Sequence, residues 1–214
     1  SSAASDVYKR QSPRRFQAAI SGLKNMRISP GEAIESAETF FDVKVGEIYT
    51  SYEKKLMLAN SMDFDDLLLK TVDLLETNEE ALNFWSSKFK YIMVDEYQDT
   101  NLVQYKLIEL LSSRHKNLCV VGDSDQSIYA FRGADIRNIQ EFEKVFQNAK
   151  IITLDKNYRS SQNILDIANA VISNNPRTQD KKLWTDNESG LDVNVAEFIS
   201  ERDEAKWVIS EIQE

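Results

Sequence analysis

The chain has 214 residues, 42% of them hydrophobic, with only 6 Gly and 3 Pro, a balance that suits a helix-rich globular protein with a buried core. One cysteine, Cys119, and one histidine, His115, exclude an internal disulfide and a thiolate or imidazole metal cage, so any metal would be held by oxygen. The net charge of -9 argues against gripping duplex DNA by phosphate neutralisation alone, but leaves room for a single strand held by stacking in a narrow groove.

Residues 1–11 carry no periodicity and read as a non-native or disordered leader. Ser12-Pro13 then opens a helix through Phe16, Ile20 and Leu23, and Ser29-Pro30-Gly31-Glu32 repeats the device with the Glu spaced for a capping box. Helical patterns continue over 45–59, 64–75 and 79–89, so 12–88 reads as an all-helical unit. No apolar run approaches the roughly 20 residues that span a bilayer, and a cytosolic protein without membrane partners is expected.

The pattern changes at Tyr91. Three apolar runs, 91–94, 118–121 and 151–154, each end in a polar cluster and read as strands buried on both faces. Residues 101–114 form an amphipathic helix between the first two, which makes a crossover unit with parallel strands. A short helix over 136–146 precedes the third. Beyond it, Ser160 or Ser161 caps a helix through Val171, 193–199 reads as a strand, and 204–212 as a helix.

Ligands of parallel α/β sheets sit beyond the carboxyl ends of the strands. Asp95 and Glu96 directly follow the first strand, and the period of two would send their side chains apart, one toward a cation such as hydrated Mg²⁺ and the other toward a water. Taken alone, the pair could equally be a solvated, inert turn. The second strand runs into GDSDQSIYAFRGAD, where Gln126 offers an amide to a terminal phosphate or its water. Tyr129 and Phe131, beside Arg132, read as a stacking platform for unpaired bases, or else as core residues; Gly133 permits a sharp turn. Tyr158 offers a face for a purine and Arg159 a planar fork for phosphate.

The stretches YIMVDEYQDTN, NLCVVGDSDQSIYAFRGADI and LDKNYRSSQNIL, in this order, closely resemble motifs II, III and IV of superfamily 1 DNA helicases of the UvrD/Rep/PcrA type, and the likeness extends from Ser12 to Glu214. The resemblance implies an α/β fold: a partial RecA-like (P-loop NTPase) parallel sheet in 89–155, preceded by an all-helical accessory domain in 12–88 and followed by the start of a second RecA-like domain in 156–214. It implies ATP and Mg²⁺ as cofactors. Asp95 would hold Mg²⁺, Glu96 would be the catalytic base, Gln126 would sense the γ-phosphate, Tyr158 would stack on adenine and Arg159 would act as an arginine finger. Tyr129, Phe131 and Arg132 would contact DNA.

The implied activity is ATP-driven 3′ to 5′ movement on single-stranded DNA, with 3′-tailed duplex DNA and repair or transcription proteins as partners. Two departures stand out. Phe131 occupies a position where the family usually carries Trp, and no G-x-x-x-x-G-K-[ST] loop occurs in the 214 residues, so an internal segment of a larger motor, inactive by itself, is expected. The alternatives are a non-catalytic single-strand or partner-binding module, a two-metal nuclease on Asp95, Glu96, Asp99 and Asp123, and a piece of a RecB/AddA-type helicase-nuclease.

Overall fold

The computed structural model describes residues 12–146, 148–175 and 181–213, without the side chains of Arg132 and Glu143. The expectation of a leader at 1–11 lies outside the described residues. The chain forms two compact units that divide between Ala149 and Lys150.

In the first unit, α1 (Pro13–Asn25), α2 (Pro30–Glu35) and α3 (Phe40–Leu58) come first. Pro13 stands at the first helical position as expected, while Ser12 caps by backbone shape without a side-chain bond. Ser29 and Glu32 form the anticipated capping box. A second box, Thr39 with Asp42, starts α3 five residues before the sequence-based boundary at 45. Ile20, Ala33, Val45 and Tyr49 make the shared core of these three helices, with Phe16, Leu23 and Phe41 packed around it.

α4 (Phe64–Thr77), capped by an Asp63–Asp66 box, and α5 (Glu79–Lys88) follow. Between α1, α3 and α4 the ammonium of Lys24 is fully buried and meets Glu53 at 2.7 Å, Asp63 at 2.8 Å and Asp66 at 3.0 Å. Burial pulls against the charge on Lys24, but its hydrogen bond to Asp63 and its ion pairs with Glu53 and Asp66 outweigh that and hold the ammonium well above its ordinary value.

β1 (Ile92–Val94) and β2 (Leu118–Val120) pair in parallel, Met93 opposite Cys119, joined by α6 (Leu102–Ser112). The strand–helix–strand crossover expected from the sequence is therefore present. Burial on both faces is not: Met93 and Cys119 lie exposed, because a two-stranded sheet with alternating side chains leaves one row uncovered. α4 and α5 pack on α6, tying the helical region to the crossover unit. The single helix expected over 136–146 is broken at Glu141 into α7 (Arg137–Gln140) and α8 (Phe142–Val145).

The second unit contains α9 (Gln162–Ile172) and α10 (Glu201–Gln213). Neither 151–154 nor 193–199 forms a strand; Leu154 is 78% exposed and Val195 94%. Apolar, β-prone residues become a strand only when a neighbour takes their backbone hydrogen bonds. Here the pairing among the described residues is confined to an isolated parallel bridge between Lys156 and Trp184. The Ser161 N-cap makes no side-chain bond, because the first N–H groups of α9, on Gln162 and Asn163, donate instead to the carbonyls of Glu188 and Ser189.

Candidate functional site at the strand ends

Both strands of the first unit finish at the same edge. β1 stops at Val94, and two residues later Glu96 adopts the left-handed conformation, φ 49°, ψ 41°. A non-glycine residue held there costs on the order of 1 kcal/mol and marks a turn fixed by its surroundings. The turn changes how Asp95 and Glu96 are placed. Continued strand geometry would have sent Asp95 and Glu96 to opposite faces; instead both border one cleft of about 390 Å³, together with Val94, Asp99, Thr100 and Gln104. The Asp95 carboxylate accepts the N–H of Glu96 at 2.9 Å.

The residue that organises this edge is Gln98, which the sequence motifs do not single out. Its side chain is almost fully buried in the 3-10 turn Tyr97–Asp99. The Gln98 amide donates to Glu96 Oε2 at 2.8 Å and to Asp99 Oδ2 at 3.3 Å, while its carbonyl oxygen accepts the N–H of Asp123 at 3.0 Å. Asp123 in turn accepts from the Gln126 amide at 2.8 Å. A chain of hydrogen bonds thus runs from Glu96, after β1, through the Gln98 side chain and the Asp123 backbone N–H and carboxylate, to Gln126, after β2. Gly122 makes this possible: a Cβ there would stand 2.6 Å from Gln98 Oε1 and 3.1 Å from the backbone N of Tyr97. The available signal was the Gly at the end of the second apolar run, which marks close backbone approach.

Downstream, Tyr129 and Phe131 lie with ring centroids 5.9 Å apart. They reach each other through the 3-10 turn Ala130–Arg132 rather than by strand alternation, and Gly133 closes the turn at φ 86°. Phe131 is 78% exposed and Tyr129 37%, so neither is a core residue. The Arg132 side chain lies outside the described residues.

In the second unit, Asn157 Oδ1 accepts the N–H groups of Arg159 at 2.9 Å and Ser160 at 2.8 Å, a side-chain-closed turn that presents Tyr158 and Arg159 to solvent. The Lys156 ammonium pairs with Asp186 and sits 5.2 Å from the Tyr158 ring centroid and 5.1 Å from that of Trp184. Trp184, absent from the sequence-based site, thereby becomes a neighbour of the Tyr158 turn.

The donor set at the cleft suits Mg²⁺ in kind. An exposed carboxylate at a parallel strand end is a hard oxygen ligand, and Mg²⁺ keeps most of its waters when only one or two carboxylates bind it. Among the described residues no group of three or more His, Cys, Asp or Glu side chains converges as a metal cage, so the paired-cation arrangement on Asp95, Glu96, Asp99 and Asp123 is not formed.

Strand-end carboxylates, the Gln98 bridge, an exposed aromatic turn and the motif order define a class. The family model for the UvrD/REP helicase N-terminal domain matches residues 2–147, and that for the UvrD-like helicase C-terminal domain matches residues 152–214. The chain belongs to the UvrD/Rep helicase family, and its crossover unit is part of a RecA-like parallel sheet in an α/β fold. Among individual relatives it is 49% identical over 204 residues to the ATP-dependent DNA helicases PcrA of Staphylococcus epidermidis (strain RP62A) and Staphylococcus aureus (strain Mu50). Each match covers 95% of this chain and 28% of the relative, so the chain spans little more than a quarter of the length of these curated relatives.

Proposed function

We propose that the chain is a segment of an ATP-dependent DNA helicase that moves 3′ to 5′ on single-stranded DNA in repair, replication or recombination. Its setting would be cytoplasmic, its substrates single-stranded and 3′-tailed duplex DNA, and its partners repair or transcription proteins. The observation that carries the reading is the Glu96–Gln98–Asp123–Gln126 chain, which ties the acidic strand end to the loop leading into the aromatic turn. The names of the PcrA relatives support it.

In this reading residues 12–88 form the helical accessory region, 89–155 belong to the first motor domain and 156–214 to the second. Asp95 holds Mg²⁺, which supplies charge neutralisation for the phosphates of ATP. Glu96, fixed by the Gln98 amide, orients the attacking water and accepts its proton. Gln126 senses the terminal phosphate, Tyr158 stacks on the adenine, and Arg159 forks onto phosphate oxygens as charge builds in the transition state. Tyr129 and Phe131 stack bases of the single strand, with Arg132 supporting its path.

An arginine finger contributes roughly 10³ to 10⁵ in rate in related phosphoryl transfers. Arg159→Ala in the full-length protein should therefore reduce DNA-stimulated ATP hydrolysis by about 10³ or more. Retention of normal turnover would remove Arg159 from that role. For the 214-residue chain by itself, which contains no G-x-x-x-x-G-K-[ST] loop, the expected result is no ATP turnover, and binding of a fluorescent oligonucleotide that is the same with and without Mg-ATP would favour a non-catalytic binding module.

A further inference from the structure

Three segments of the first unit meet at Thr100 and Asn101, just past the acidic turn. The first is the acidic turn itself: the Thr100 hydroxyl donates to the carbonyl of Tyr97 at 2.8 Å, and Thr100 lines the cleft beside Asp95 and Glu96. The second is the segment leaving the aromatic turn. The Thr100 carbonyl accepts the N–H of Asp135 at 3.0 Å and the amide of Asn138 at 2.9 Å.

The third is the helical region. Asn101 Nδ2 donates to Asn25 Oδ1 at 2.7 Å, across 76 positions of sequence. Asn25 in turn donates to the Ser21 carbonyl at 2.8 Å and to Asp65 Oδ1 at 3.1 Å. Its amide therefore links the end of α1, the start of α4 and the start of α6. Gly133 backs onto this pair: a Cβ there would lie 3.7 Å from Asn25 Cβ and 4.0 Å from Asn101 Cβ. The loop carrying Tyr129 and Phe131 thus turns directly over the Asn25–Asn101 contact.

Asn101 does two separable things. Its Oδ1 and backbone N–H form the capping box with Gln104 that starts α6. Its Nδ2 is not used by the cap and makes the long-range bond to Asn25. We propose that the Asn25–Asn101 amide contact is a positioning device that transmits engagement of the aromatic turn by single-stranded DNA to the Asp95–Glu96 turn. Neither Asn25 nor Asn101 is among the residues lining the cleft; their role in this proposal is to fix the spacing between the acidic turn and the aromatic turn. The inference rests on the reading of the two strand-end loops as ATP and DNA sites.

The variants are Asn101→Asp and Asn25→Ala in the full-length protein. Asn101→Asp keeps a good N-cap oxygen while removing the Nδ2 donor, so α6 retains its start. Basal ATP turnover, KM for ATP, and turnover with a saturating oligo(dT) single strand are measured for each variant and for the double variant. The expected result is a fall of about fivefold or more in the ratio of DNA-stimulated to basal kcat, with basal kcat and KM close to wild type. The double variant should lose no more than the stronger single variant, because both remove the Asn25–Asn101 bond and Asn25→Ala also gives up the Asn25 bonds to Ser21 and Asp65.

A ratio that stays at the wild-type value, or basal and stimulated rates that fall together with thermal stability, would show a merely structural contact and overturn the proposal. If one variant does not fold, the other decides the same question, since each removes the bond from its own side. A wild-type protein with no DNA-stimulated hydrolysis would instead remove the functional reading on which the inference stands.

Discussion

The two units solve the burial problem in different ways. The first, ending at Ala149, buries hydrophobic side chains in depth: Ile20, Val45 and Tyr49 among α1–α3, Val72 and Leu75 on α4, and Tyr97 and Val103 beside the crossover. In the second, among the described residues, Leu165 alone is a buried hydrophobic side chain, and the turn at Tyr158 is held by Asn157, Asn187 and the Lys156–Asp186 pair. The first unit relies mainly on area removed from water, whereas the turn at Tyr158 relies on polar bonds, which are individually worth about 1 kcal/mol. The consequence for function is that the Asp95–Glu96 turn stands on a packed platform, while the Tyr158–Arg159 turn stands on a hydrogen-bonded one.

The sharpest way to break this contrast is at the buried ion cluster of the first unit. Lys24→Met leaves Asp66, almost fully buried, and the partly buried Asp63 and Glu53 without their shared cation. The expected cost is about 3–5 kcal/mol in urea unfolding, against the much smaller effect of losing an exposed pair such as Lys44–Glu47. Next in size, Leu165→Ala should cost about 2–3 kcal/mol of local stability. Because Leu165 is the lone buried hydrophobic side chain among the described residues of its unit, hydrogen exchange should rise across α9 while α6 keeps its protection.

The same cluster sets a pH dependence. Burial raises Asp63, but the Lys24 ammonium, the Asp66 N–H and the Tyr52 hydroxyl outweigh it and hold Asp63 below its ordinary 3.8. A depressed acid contributes stability above its unfolded value and loses it as pH falls through the folded one. Lys24, raised above 10.5, contributes fully below that value and loses its contribution only as pH rises through the folded one. Stability of the first unit should therefore be level across neutral pH and drop below about pH 4, a fall that Lys24→Met should flatten. The smallest effect is expected at Tyr97→Phe. Burial pushes the Tyr97 phenol up to about 12, and its hydroxyl has no hydrogen-bond partner among the described residues. Removing it should leave thermal stability unchanged or raise it by up to about 1 kcal/mol, with the edge-on contact to Phe142 preserved.

Much of this architecture was legible in the residues themselves. The Ser29–Glu32 box and Pro13 are start signals whose partners lie within four positions. The Asp63–Asp66 and Asn101–Gln104 boxes work over the same short span. The crossover of two parallel strands around an amphipathic helix follows from periodicity, and the order of the acidic, glutamine, aromatic and arginine segments is read directly along the chain. The strands expected at 151–154 and 193–199 failed because apolar β-prone runs state a preference for pairing without supplying the partner. The left-handed Glu96, at the turn where Asp95 and Glu96 border one cleft, had no local marker, since glutamate is not a residue that announces a positive φ.

What the tertiary structure alone decided is which distant polar atoms meet. Gln98 spans two strand ends, Lys24 gathers carboxylates from three places, and Asn25 reaches Asn101 across 76 positions. Local sequence encodes contacts over three or four residues because helix and turn geometry bring those atoms together without help. Contacts over tens of residues exist only once helices have packed and excluded water, when a buried amide or ammonium must find whatever partner the fold places within reach.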